Sequence, residues 1–98
     1  LGPNDAPWDL ESVLDDALNF AIANGRGGRG NPIFWAVDNF SNPIANDEVC
    51  SHPGVIAVGR STRNDTEDGS AFGPKLEFLA PGVDVYSTNS GGGYGTST

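Results

Sequence analysis

The sequence contains no methionine, a single cysteine (Cys50), a single histidine (His52) and only five basic residues among 98. One cysteine excludes an internal disulfide and any zinc site built from several cysteines. Five Lys and Arg against thirteen Asp and Glu give a formal charge of −8. That balance argues against nucleic-acid partners, because phosphate contacts need clustered cations. It suits a secreted protein, or one that receives basic ligands. No apolar run approaches the roughly 20 residues that cross a bilayer, so no membrane-spanning segment is expected. What the chain does have is a hydrophobic fraction of 37%, enough for a modest core in one small domain or in a piece of a larger one. It begins at Leu1 without a signal-like segment and reads as cut from something longer.

Residues 1–8, with Pro3 and Pro7, read as a loop. A helix follows, since Leu10, Val13, Leu14, Ala17, Leu18, Ala21 and Ile22 recur at the spacing that puts them on one face. Asp9 is the expected N-cap, and Asn24-Gly25 the expected stop. After the glycine-rich RGGRG come two short apolar runs, PIFWAV at 32–37 and VIAVGR at 55–60. Both read as buried parallel strands. Leu76, Phe78 and Ala80 alternate as a further short strand, and VDVYST at 83–88 is another. The segments 38–54 and 61–74 read as loop and acidic turn, and the tail from Asn89 as a flexible loop. A helix leading into buried apolar strands means α/β with a mainly parallel sheet.

Four local patterns invite chemistry. Gly25, Gly27 and Gly30 spell GxGxxG, but they follow a helix and precede a strand, the reverse of a dinucleotide fingerprint. Asn64 to Gly69 resembles a calcium loop, yet Lys75 stands where the closing glutamate belongs. The triplets Asn39-Phe40-Ser41 and Asn64-Asp65-Thr66 fit the glycosylation pattern, which by itself decides nothing. Cys50 and His52 lie two residues apart in a loop. They read as a partly buried thiol and a surface imidazole rather than a catalytic pair.

The blocks from residue 32 onward carry a resemblance. HPGVIAVGRSTRND, then GSAFGPKLEFLAPGVDVYST, are similar to the C-terminal half of a subtilisin-like serine protease catalytic domain (subtilase, peptidase S8 family). Leu1-Gly2-Pro3 resembles the SLGP-type segment of that family. GRGGRGNPIFWAVDN at 25–39 resembles the GRGGxGxxxxWAxGN stretch of its kexin-like branch. The resemblance covers nearly the whole chain, with the blocks in order. It implies that residues 1–98 are a fragment of a single peptidase catalytic domain, a partial subtilisin-like fold with a helix crossover inside a larger three-layer domain. It also implies a secreted serine endopeptidase acting on peptide or protein substrates.

Residue by residue, Asn39 matches the asparagine whose amide forms half of the oxyanion hole. A preorganised donor there stabilises the charge that develops on the carbonyl oxygen in the transition state. Leu1-Gly2 and Ala36-Val37-Asp38 match the two segments that wall the primary specificity pocket. Asp5 matches an aspartate at the base of that pocket in the kexin-like branch, and Asp47 and Glu48 lie near the place of a second acidic residue. Such carboxylates imply a preference for a basic residue before the scissile bond; their plainer reading is as surface acids of an acidic protein. The catalytic aspartate and histidine of the family precede Leu1, and its Gly-Thr-Ser nucleophile follows Thr98. The chain alone is therefore expected to be inactive, with Ser97 a loop serine. The resemblance leaves room for calcium or a monovalent cation, the weaker site using backbone carbonyls between Cys50 and Val55. Asp38 stands where the family has glycine. That departure keeps a second reading open, a non-catalytic binding or regulatory module on the same fold. A nucleotide-binding protein is the third, and motif context disfavours it.

Overall fold

The computed structural model describes residues 9–98. Its first element, α1 (Ser12–Gly28), does not use Asp9 as its cap. Glu11 occupies the cap position in extended backbone and makes no capping bond. The entering chain is instead held by tertiary contact, the Leu10 N–H donating to Glu48 Oε2 at 2.6 Å. Helical geometry breaks at Gly25, where ψ is 149°, and Arg26 and Gly27 then take φ of 51° and 68°. The Asn24-Gly25 stop is thus where the sequence places it, and the assigned span runs on past the break. The apolar face is narrower than its periodicity implies: Leu18 is buried, but Val13 is 78% exposed. The helix rests on the loop before the second strand. A Cβ on Gly54 would collide with Ile22 Cδ1, and Asp15 Oδ1 lies 3.3 Å from His52 Nε2.

Strands β1 (Ile33–Ala36), β2 (Val55–Ser61) and β3 (Leu76–Pro81) form a parallel sheet with β2 in the centre. Trp35 pairs with Ala57 and Ala57 with Leu76. Val37 extends the first ladder, its N–H donating to the Val58 carbonyl at 3.0 Å. The two crossovers, residues 37–54 and 62–75, contain a single 3-10 turn (Ile44–Asn46) and no α-helix. They are nevertheless tied to each other. Ala71 N–H donates to the Asp38 carbonyl, Phe72 N–H to the Asn42 carbonyl and Ile44 N–H to the Phe72 carbonyl.

This loop layer covers one sheet face and makes the core: Val37, Ile44, Cys50, Ala57 and Ala71, with Trp35 and Leu76 packed against them. The other face is open among the described residues. Phe34, 58% exposed, stands edge-on to Phe78 with ring centroids 6.3 Å apart. PIFWAV is thus parallel, as expected, but half-buried, because a parallel sheet needs cover on both faces and the described residues supply one. The alternation of Leu76, Phe78 and Ala80 is also interrupted. A register shift opposite Ala57 and Val58 puts Leu76 with Ala57 and Phe78 with Val58. Neighbouring residues of β2 face opposite ways, so Leu76 enters the core while Phe78 joins the open face.

The tail is not a free loop. β4 (Val85–Thr88) and β5 (Tyr94–Ser97) form an antiparallel hairpin. A turn closed by Gly92 N–H to the Asn89 carbonyl connects them, with Gly92 and Gly93 at positive φ. Glycine-rich composition here supplies the backbone a tight turn requires. Tyr86 stacks on Tyr94 at 5.5 Å across the pair.

Candidate active site

The carboxyl ends of β1, β2 and β3 converge on a cavity of about 230 Å³. Ala36, Val37 and Asn39 line it from the first strand, Gly59 and Arg60 from the central one and Pro81 and Gly82 from the third, with the buried Ser70 and the terminal Thr98 also at its surface. This is the edge at which open parallel sheets collect ligands, outside the carboxyl ends of their strands.

Asn39 sits just beyond β1 in the turn that leaves the sheet. Arg60, the last but one residue of β2, reaches across to it. Its Nη1 donates to Asn39 Oδ1 at 2.9 Å, and its Nη2 approaches the Asn39 carbonyl at 3.4 Å. The same guanidinium donates from Nη2 to the Asp68 carbonyl at 3.0 Å, and its Nε lies 3.0 Å from Asp68 Oδ2. A guanidinium has only donors, so it selects the oxygen end of the Asn39 amide and sets the amide's orientation. Arg60 was not singled out in the sequence. Its signal was the one charged residue ending an otherwise apolar strand, VIAVGR.

Among the described residues, the acids expected at the pocket, Asp38, Asp47 and Glu48, are turned toward the protein's own donors. Asp38, 5% exposed, accepts the Phe40 N–H on Oδ1 and Asn42 Nδ2 on Oδ2, each at 3.1 Å. It organises the turn that carries Asn39 and does not line the cavity. Asp47 is buried, and its Oδ1 accepts the N–H groups of Val49 and Cys50 at 3.0 Å each. Glu48 holds the Leu10 N–H. Leu1, Gly2 and Asp5 lie outside the described residues.

Cys50 and His52 are both more buried than their loop position implies. Cys50 is fully enclosed, with Sγ 3.7 Å from the Ala36 carbonyl. Burial pushes its thiol far above the ordinary range, and the hydrogen bond and charge of Asp47 and the charge of Asp38 add to the shift. His52 accepts the Gly54 N–H on Nδ1 at 3.0 Å and faces Asp15 with Nε2. Both ring nitrogens are therefore engaged, Nδ1 within its own loop and Nε2 on α1. Ser97 pairs with Val85 in the hairpin.

Among the described residues no three His, Cys, Asp or Glu side chains are gathered to hold a metal ion. In the 50–55 segment the Val55 carbonyl accepts Lys75 Nζ at 2.9 Å, and the His52 carbonyl accepts the Val55 N–H. An ammonium already stands at the Val55 carbonyl. Two of the three acids of the 64–69 turn also have partners. Glu67 accepts the Ser70 N–H at 2.7 Å, and Asp68 pairs with Arg60. Among the described residues no helix is long and apolar enough to cross a membrane.

No family model matches the chain. It is 33% identical over 78 residues to subtilisin-like protease 1 of Arthroderma gypseum, an alignment covering 79% of this chain and 16% of that protein. Over 85 residues it is 32% identical to subtilisin-like protease 1 of Trichophyton equinum and of Trichophyton tonsurans, covering 86% of this chain and 17% of each relative. The chain therefore spans about one sixth of the length of the curated relatives it matches. Over most of its own length it is similar to subtilisin-like proteases.

Proposed function

We propose that this chain is part of a subtilisin-like serine endopeptidase catalytic domain, secreted like its family, in which Asn39 supplies one donor of the oxyanion hole. The observation that carries the reading is the position of Asn39. It stands at the carboxyl edge of a parallel sheet, on the wall of a cavity, with its amide oriented by Arg60. In the reaction a serine from elsewhere in the protein attacks the scissile carbonyl, with a histidine taking its proton. As the carbonyl becomes tetrahedral its oxygen gains charge, and an amide donor already in place stabilises that charge without reorganising. Ala36 and Val37 would border the substrate residue before the scissile bond. The inward turn of Asp38 leaves that border open, which favours the enzyme over the non-catalytic module. With Asp38, Asp47 and Glu48 engaged elsewhere, a preference for basic substrates rests on Asp5.

The test is Asn39→Ala in the full-length protein, assayed on peptide substrates. Turnover should fall by roughly 10²–10³ with KM little changed, the magnitude known for this donor in subtilisin itself. An unchanged turnover, or a loss confined to KM, would overturn the assignment. The 98-residue chain by itself should hydrolyse no peptide; activity abolished by Ser97→Ala would place the nucleophile inside it.

A further inference from the structure

The two Asn-X-Ser/Thr triplets, indistinguishable in sequence, are placed very differently. Asn39 stands on the cavity wall with its oxygen on the Arg60 guanidinium. Asn64 stands at the tip of a tight turn that follows the carboxyl end of β2. The Asp65 N–H donates to the Thr62 carbonyl at 3.2 Å, and the Thr62 N–H to the Thr66 carbonyl at 2.8 Å. An antiparallel bridge between Ser61 and Glu67 closes the base. Asp65 completes the turn at φ 56°, in the left-handed region that Asp tolerates better than most residues. Residues 63–67 are all exposed. The Asn64 backbone N–H donates to Thr62 Oγ1 at 3.2 Å, while its side-chain amide makes no hydrogen bond to the described residues. A bulky group on that amide would extend into solvent and displace nothing.

We propose that Asn64 is an N-glycosylation acceptor, selected by this turn over the Asn39 triplet. The donor is an oligosaccharide carried on a lipid diphosphate. Asn64 Nδ2 loses one proton to a base and forms a bond to the anomeric carbon. The bond from that carbon to the phosphate oxygen breaks, and the lipid diphosphate leaves with the electron pair. Nothing is oxidised or reduced. Thr66 supplies the hydroxyl of the triplet; in the folded chain it lies 2.7 Å from the Thr62 hydroxyl, on the stem and away from the tip.

The inference rests on the secreted reading only for delivery to the glycosylating compartment. The full-length protein is therefore secreted from a eukaryotic host twice, once with its own leader and once with an unrelated signal sequence. Purified protein is treated with peptide N-glycosidase in heavy-oxygen water, and the peptide containing residue 64 is weighed. Heavy oxygen at position 64 is expected. It should disappear in Asn64→Gln and Thr66→Ala and return in Thr66→Ser. Protein delivered to the medium by the unrelated signal with Asn64 unmodified, or with a glycan on Asn39 alone, overturns the proposal. A peptidase assay on the same material reports separately on the activity: glycosylated but inactive protein would sink the protease reading and leave Asn64 as the acceptor.

Discussion

Arg60 grips Asn39 at both its side chain and its backbone, with guanidinium nitrogens 2.9 Å from Oδ1 and 3.4 Å from the carbonyl oxygen. Central strand and edge turn are thereby joined through one planar group. Arg60→Lys keeps the charge and loses the fork, since an ammonium cannot span Asn39 and Asp68 in that geometry. We expect a stability loss of about 1–2 kcal/mol, discounted for partial exposure. In the full-length protein turnover should fall while KM holds. Equal turnover in Arg60→Lys and wild type would show that the amide does not need the guanidinium.

Asp38 separates architecture from specificity. Asp38→Ala removes the acceptor of the Phe40 N–H and of Asn42 Nδ2. The expected cost is about 1–3 kcal/mol by urea unfolding. Because the carboxylate is turned into its own loop, the variant's ranking of Arg, Lys, Phe and Leu before the scissile bond should match that of the wild type. A changed ranking would put Asp38 in the pocket.

Asp47 carries two buried N–H groups on one oxygen. Asp47→Ala leaves both without that acceptor, so about 2–4 kcal/mol should be lost. Asp47→Asn, which keeps an acceptor oxygen, should recover a good part of it. Indistinguishable midpoints for the two variants would contradict the arrangement.

The Cys50 thiol gives stability a pH dependence with a defined sign. Its folded pKa is raised, chiefly by burial. Above about pH 8.5 the unfolded thiol therefore loses its proton while the folded one keeps it. The unfolded state then binds fewer protons, and stability falls as pH rises, by about 1.4 kcal/mol per pH unit from this group. Below that pH the group contributes no slope. Cys50→Ala should flatten the alkaline decline measured by urea unfolding. The native thiol should also resist alkylation that is rapid after unfolding.

The helix, the two apolar strands and their parallel pairing were legible because each depends on local pattern, 3.6-residue periodicity or a short two-faced apolar run. The hairpin that β5 completes with β4 was not. Its glycines read equally as disorder or as a turn, and only the pairing of Val85 with Ser97 distinguishes them. The bulge at Glu77 escaped for a similar reason, since a register shift is set by the partner strand. Asn39, singled out through the resemblance, lies on the cavity wall. The reach of Arg60 was invisible, because its contact with Asn39 spans 21 residues; the direction of Asp38 was missed because its donors, two and four residues on, face it only in the folded turn. The same is true of His52, whose burial comes from α1 docking over it.

Among the described residues, β2 is bonded on both sides and β1 on one. Opening β2 requires both ladders to break, whereas β1 can peel away alone, taking the Asn39 turn off Arg60. Local opening of an edge costs less than global unfolding. Amide hydrogens of β1 and the 38–42 turn should therefore exchange sooner than those of β2. On warming, the geometry around Asn39 should disperse while the central strand still stands.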